Sequence, residues 1–267
     1  MILLSSVLTI LLLFLLSLLM PVMSFALPVY KIKKMKDFSC REKLVANIVV
    51  MGAIAVINPM LLYFYVGFFL VIEVLYKYFE KGMTKIKKFD RIVIISIVIT
   101  ALMGFLLFCL RDKIDANMDI LLEFYQKNFQ ISKVESIKVY EEMKENFIYY
   151  TFIYSILNVF VIYVSLDSDD YHKWEISFEW LLVYIVSYFM IHLLKFDNFY
   201  VINALNIGET IFIFYGIKSI YATLYEKIKY KGIDNAIAVM IGLLFPFGTF
   251  LLGVLKGFRI DRDTKKR

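Results

Sequence analysis

Apolar residues in this chain come in long unbroken runs, not in the amphipathic patterns of a soluble domain. Residues 2–30, 44–76, 92–110, 147–166, 175–194, 199–225 and 235–255 are each dominated by Leu, Ile, Val, Phe and Tyr. A run of about 20 such residues is what a helix needs to cross the hydrocarbon core of a bilayer. Run 44–76 is too long for one span, and Asn58-Pro59 interrupts it. Proline removes an amide donor and disfavours helix in the residue before it, so this run predicts a tight hairpin of two short helices. The pattern as a whole predicts an all-α, polytopic transmembrane bundle of about eight spans, or seven plus a re-entrant segment.

The first run is too long for a secretory signal, no basic residue precedes it, and Lys31 follows in place of a small-residue cleavage site. It reads as a retained span that Pro21 and Pro28 kink or make irregular near its end. Four regions follow: an amino-terminal membrane half with four spans (1–110), a polar segment with amphipathic helices (111–146), a carboxyl-terminal membrane half with four spans (147–257), and a basic tail (258–267).

Composition supports this. Of the 267 residues 61% are hydrophobic, against roughly 45–50% in soluble domains, which rules out a soluble enzyme, a disordered chain and a secreted disulfide scaffold. The formal charge is +6, with 30 Lys and Arg against 24 Asp and Glu. The basic residues sit in short runs between apolar stretches, which marks cytoplasmic loops and not a nucleic-acid face. Loop 31–43 carries Lys31, Lys33, Lys34, Lys36, Arg41 and Lys43; loop 77–91 carries Lys77, Lys81, Lys85, Lys87, Lys88 and Arg91. Both belong on the cytoplasmic side, and 111–145, with more acids than bases, on the outside. Strict alternation then puts the basic tail outside, against the positive-inside rule. Either a break at Phe245-Pro246-Phe247-Gly248 makes the last run re-entrant, or the proline-rich end of the first run crosses part-way.

Within 111–146, Ser132 and Glu135 have capping-box spacing, followed by a stripe of Val134, Ile137, Tyr140 and Met143. An upstream stripe comprises Met118, Leu121, Leu122, Tyr125 and Phe129. Such stripes lie in the membrane interface, over the mouth of the bundle, or against neighbouring helices.

Polar residues inside spans are costly and call for a partner, a cavity or a shallow position. Glu73 precedes Lys77 by four residues, which reads as a helical ion pair. Glu175 and Glu179 read as first-turn carboxylates favoured by the helix dipole. The seventh span is richer, with Asn203, Asn206, Gly208, Glu209, Gly216 and Lys218, and Asn206, Glu209 and Gly216 fall on one face. Tyr184, Tyr188 and His192 form a stripe on the preceding helix, Asn158 lies mid-span in the fifth and Asn47 in the second. Two readings stay open: a small-molecule pocket of Asn158, His192, Asn203, Asn206 and Glu209, or hydrogen bonds that hold helices together.

No catalytic motif is present, the only imidazoles are His172 and His192, and Cys40 and Cys109 provide neither a disulfide framework nor metal-ligand spacing. No cofactor or metal is expected.

The stretch 206–227, with Phe212, Phe214 and Gly216 before a basic exit, and the ending Gly253-Val-Leu-Lys-Gly257-Phe-Arg-Ile-Asp261-Arg262-Asp resemble the close of the YybS-like family of bacterial membrane proteins. The order of parts is also similar. That family implies no settled activity. Its layout is distantly similar to that of the substrate-binding subunits of energy-coupling-factor transporters, in which a helical bundle binds a small molecule and docks on a partner membrane subunit.

The expectation is a multi-pass protein of a bacterial cytoplasmic membrane, most readily a small-molecule binding or transport component. The rivals are a membrane scaffold or assembly protein that binds a partner or anionic lipid and, further off, a carboxylate-dependent enzyme.

Overall fold

The computed structural model describes residues 2–116, 120, 122–123, 126–127, 132–227 and 230–264. The described residues form helices joined by short turns, with no strand among them. The order is α1 (Ile2–Leu19), α2 (Ala26–Lys34), α3 (Cys40–Ile57), α4 (Pro59–Lys81), α5 (Lys88–Cys109), α6 (Arg111–Ala116), α7 (Lys133–Glu145), α8 (Phe147–Leu166), α9 (Leu181–His192), α10 (Phe199–Lys227), α11 (Lys231–Leu244) and α12 (Pro246–Thr264).

By length and composition α4, α5, α8 and α10 are able to cross a membrane, and the bent pair α11–α12 makes a fifth if counted as one span. The other predicted spans are shorter or broken. Helix α1 stops at Leu19, a 3-10 turn follows at Pro21–Met23, and Pro28 sits in the first turn of α2, where a missing N–H leaves no bond unmade. The sixth predicted span begins later than its apolar run. Glu175 precedes the helix in non-helical chain, and Glu179 lies in a 3-10 turn, Phe178–Trp180, ahead of α9.

Local chemistry fixes several boundaries. Both halves of a capping box close on Ser39 and Glu42 at the start of α3, and again on Ser132 and Glu135 at the start of α7. Between α3 and α4 the break is one residue: Asn58 is extended, its side chain accepts from Met60 N at 2.8 Å, and Pro59 takes the first helical position. The two helices run antiparallel, as the predicted hairpin requires, because Lys31 bonds Asn47 on one and Glu73 on the other. A π-helical turn, Tyr65–Leu70, interrupts α4.

The core runs through α4, α5, α8 and α10 and is rich in aromatic edge-to-face pairs such as Phe89–Tyr215, with ring centroids 5.1 Å apart. Much apolar surface points outward, Leu4, Val56, Phe105 and Leu243 among it, as expected of helices whose solvent is lipid. On α7 the stripe residues Val134, Ile137 and Met143 are exposed too. Leu122 of the upstream stripe is buried; Met118, Leu121, Tyr125 and Phe129 lie outside the described residues.

Two loops and the end of α10 meet at one end of the bundle. Lys88 pairs with Asp167, Phe89 N bonds Glu175 O at 3.3 Å, and Tyr171 and His172 stack on Tyr221 and Tyr225 near the end of α10. At the other end Phe147 stacks on Phe199. Helix α12 leads back to the first of these ends. Helices α11 and α12 bend by 114° across Phe245, Phe250 packs on Tyr184, and Phe258 reaches Phe178 at 5.3 Å. The last run is therefore broken at Phe245, where the sequence places a break, and α12 leads to the end where loops 77–91 and 167–178 lie.

Cys40 at the start of α3 and Cys109 at the end of α5 are exposed at opposite ends. A membrane-impermeant maleimide is expected to separate them. In a chain with both changed to serine, Phe258→Cys should label with the sidedness of Cys40. Labelling with that of Cys109 would refute the re-entrant turn.

Candidate functional site

The polar residues of the spans do not converge on one pocket. Asn158 is buried on α8, accepts from the Ser24 hydroxyl and donates to Tyr154 O at 2.8 Å. The Tyr154 hydroxyl donates in turn to Ser24 Oγ at 2.8 Å. This cluster ties the broken end of the first run to α8. Asn203 is buried on α10 and joins two helix ends: its Oδ1 accepts from Tyr149 N at 2.8 Å, and its Nδ2 donates to Glu145 O at 2.9 Å. A helix start has spare amides and a helix end spare carbonyls, so one carboxamide serves both sides of the α7–α8 corner.

His192 is exposed at the end of α9 and stacks on Tyr188 at 4.2 Å, which stacks on Tyr184. Asn206 and Glu209 are half-buried on α10, and their side chains make no hydrogen bond among the described residues. Glu209 faces Tyr184 electrostatically. The five residues are thus distributed: Asn158 and Asn203 are spent between helices at different levels, while Asn206, Glu209 and His192 border the α9–α10 seam.

An apolar crevice of about 430 Å³ opens between α5, α8 and α10, lined by Thr100, Gly104, Phe105, Phe147, Phe152 and Ile207 among others. None of the five predicted residues lines it.

Charge is concentrated toward the basic end, where the structure buries more of it than the sequence indicates. Lys31, read from the sequence as a loop residue, is fully buried. Its ammonium lies 2.7 Å from Glu73 Oε2, 2.8 Å from Asn47 Oδ1 and 3.0 Å from the Tyr65 hydroxyl, so all three donors are used. Glu73 is also paired with Lys77, as its spacing predicts. The missed signal was the Leu27–Lys31 spacing of four, which puts the lysine on the buried face of α2. Asp90, in the first turn of α5, accepts from Ser177 N at 2.8 Å, from the Ser177 hydroxyl and from Trp180 Nε1 at 3.0 Å. It fastens the chain ahead of α9 to α5. Lys218, buried on α10 over the Tyr215 ring at 5.4 Å, makes no ion pair among the described residues and senses Glu175 and Lys256.

On this same end lies a cleft of about 390 Å³ between residues 84–88 and 170–175. Arg91 forms its frame: Nε donates to Ile86 O, one terminal nitrogen pairs with Glu80 and the other donates to Thr84 O, all within 2.9 Å. Lys173 pairs with Asp170 at 2.8 Å, and that hydrogen bond with its charge holds the Asp170 carboxyl below its ordinary range and lifts Lys173. Tyr171 and Trp174 anchor the turn from beneath, their rings 4.9 Å apart, and burial raises the Tyr171 phenol. The Trp174 indole N–H and the Tyr171 hydroxyl have no hydrogen-bond partner among the described residues.

No group of three or more metal-binding side chains occurs among the described residues. Comparison with family models, curated proteins and solved structures returned no match to this chain.

Proposed function

We propose that this chain is a multi-pass protein of a bacterial cytoplasmic membrane, working as a scaffold or assembly component that engages anionic lipid at its basic end. The observation that carries this reading is the meeting of loops 77–91 and 167–178 and of Phe258 on α12 at one end, on the side where Lys31 bonds Glu73. Meanwhile Asn158 and Asn203 are consumed between helices. In this arrangement the chain makes seven crossings, the first ending with α2, followed by the re-entrant pair α11–α12. The basic end faces the cytoplasm, where each Lys or Arg near an anionic surface contributes about 1 kcal/mol. The resemblance in layout to YybS-like proteins is compatible with this role and supplies no ligand.

Native mass spectrometry of the gently solubilised protein tests it. Phosphatidylglycerol should be retained over phosphatidylcholine, and the exposed set Lys33→Gln, Lys34→Gln, Lys36→Gln and Arg41→Gln should lower that retention several-fold without unfolding the chain. Equal retention of both lipids would defeat the proposal. A second reading has one observation behind it, the half-buried Glu209 without a hydrogen bond beside Tyr184. A retained small molecule lost on Glu209→Gln and Asn206→Leu would favour that pocket.

A further inference from the structure

We propose that the seam between α9 and α10 seats a protonated amine that carries an apolar or aromatic body, and that this ligand enters from the end opposite the basic loops. The proposal rests on the Glu209 pocket given above as the second reading and names its ligand class; the lipid reading does not depend on it.

The seam lies where two backbones touch. A β-carbon on Gly208 would be 2.8 Å from Tyr184 N and 3.0 Å from Tyr184 Cα, so α9 and α10 meet at this level. Glu209 follows Gly208 and acts electrostatically on Tyr184, and Asn206 lies one turn before it on the same face. Toward the basic end the seam is filled: the Phe250 ring of α12 is 4.8 Å from Tyr184 and 6.4 Å from Phe212, the residue one turn beyond Glu209. In the other direction it stays polar. Tyr188 stacks on Tyr184, and His192, exposed at the end of α9, stacks on Tyr188 at 4.2 Å. At that end Phe199 opens α10 and meets Phe147. Glu209 is about 15 Å along α10 from there, at a rise of 1.5 Å per residue. The stripe therefore leads from water to the middle of a span.

Charge decides the class. Glu209 makes no hydrogen bond or ion pair among the described residues, and the Asn206 side chain makes no hydrogen bond. A carboxylate inside a span calls for a compensating cation, and the described residues bring none to it. Lys218 is nine residues further on, half a turn out of phase, and senses Glu175 and Lys256 instead. Lys195 is exposed beyond the end of α9. Glu209 and Asn206 both offer acceptors, which an ammonium with N–H donors satisfies and a quaternary one does not. Tyrosine rings beside the carboxylate suit the cation and an apolar body alike. A polar stripe running out to water favours a soluble ligand over a basic residue on a partner helix, which needs no such path.

Substituted-cysteine labelling of the full-length solubilised protein tests this, with Cys40 and Cys109 changed to serine and Asn206→Cys as the sole thiol. Aminoethyl methanethiosulfonate, a primary ammonium, should modify that thiol about tenfold faster than the anionic sulfonatoethyl reagent, each rate taken relative to a free thiol, because a cleft of one charge concentrates its counter-ion. The preference should fall several-fold on Glu209→Gln, persist in Glu209→Asp, and persist in Asp197→Asn, which removes an exposed acid beyond the end of α9. Phenethylammonium should slow the modification saturably, and 2-phenylethanol, the same body without the charge, should not. Equal rates, a preference that outlives Glu209→Gln, no protection by phenethylammonium, or a thiol that neither reagent reaches, as under a partner helix, overturns the proposal. The second reading is scored separately: if the alcohol protects as well as the amine and both lose protection on Glu209→Gln, a pocket stands and only the choice of a cation falls.

Discussion

Glu73→Gln is expected to be among the most destabilising single changes in this chain, and far more so than Lys31→Met. The two residues are partners 2.7 Å apart, but they are not equivalent. Lys31 is fully buried, and Glu73 is its only ion-pair partner among the described residues. Taking the carboxylate away leaves an enclosed ammonium with only Asn47 and Tyr65, and removing one partner of a buried pair costs about 3–5 kcal/mol. Removing the lysine leaves Glu73 still paired with Lys77, whose side chain is 36% exposed and brings solvent to the pair. The double change Lys31→Met with Glu73→Gln should therefore recover much of the single loss. Thermal unfolding of the solubilised protein, followed by size-exclusion profile, gives the order. If Lys31→Met proves as damaging as Glu73→Gln, Lys77 is not compensating and the network has been misjudged.

The π turn belongs to the same argument. Tyr65 and Glu73 are eight residues apart, which on a regular helix leaves them about 80° out of phase. The extra residue per turn in Tyr65–Leu70 reduces that angle, so both side chains reach one ammonium. Such turns persist where a side-chain arrangement repays the poorer helix. Here it is the docking of α2 into the α3–α4 hairpin.

Features set by near neighbours in the chain were legible from the residues. The Ser132–Glu135 box, the Asn58-Pro59 break, the Glu73–Lys77 pair and the irregular end of the first run each depend on a few adjacent positions, and each is found. Features set by what packs opposite were not. Positive-inside counting treats all lysines alike, so Lys31 was placed with its loop neighbours although a buried acid on another helix holds it. Asn203 reads as a ligand group from the sequence because it is polar within an apolar run. Its partners, Glu145 O and Tyr149 N, come from a corner more than fifty residues earlier, which no periodicity in α10 announces. Hydropathy likewise gives no signal that the sixth run begins with non-helical chain held by Asp90.

The second large effect is expected at the α10–α12 crossing, from Gly216→Leu and Gly253→Leu. These glycines let two backbones touch. A β-carbon on Gly216 would lie 2.7 Å from Thr249 Cγ2 and nearer still to the Thr249 carbonyl oxygen; one on Gly253 would run into the Phe212 carbonyl and lie 3.0 Å from Gly216 N. Backbone has no rotamer to yield, so the helices must separate. Helix association in lipid depends on close packing of small residues more than on a hydrophobic drive. Separation would also withdraw Phe250 from Tyr184 and Phe258 from Phe178, the contacts that turn α12 back toward the basic end. Each change should therefore lower the unfolding temperature of the solubilised protein strongly and also alter the accessibility of Phe258→Cys in the same chain. Gly248→Leu is the control, because a β-carbon there meets nothing within 4 Å and the added side chain joins an already exposed apolar tip of Leu243, Leu244 and Phe247. A chain that tolerates Gly216→Leu as well as Gly248→Leu would show that α12 does not pack on α10, and with that the return of the tail would lose its physical cause.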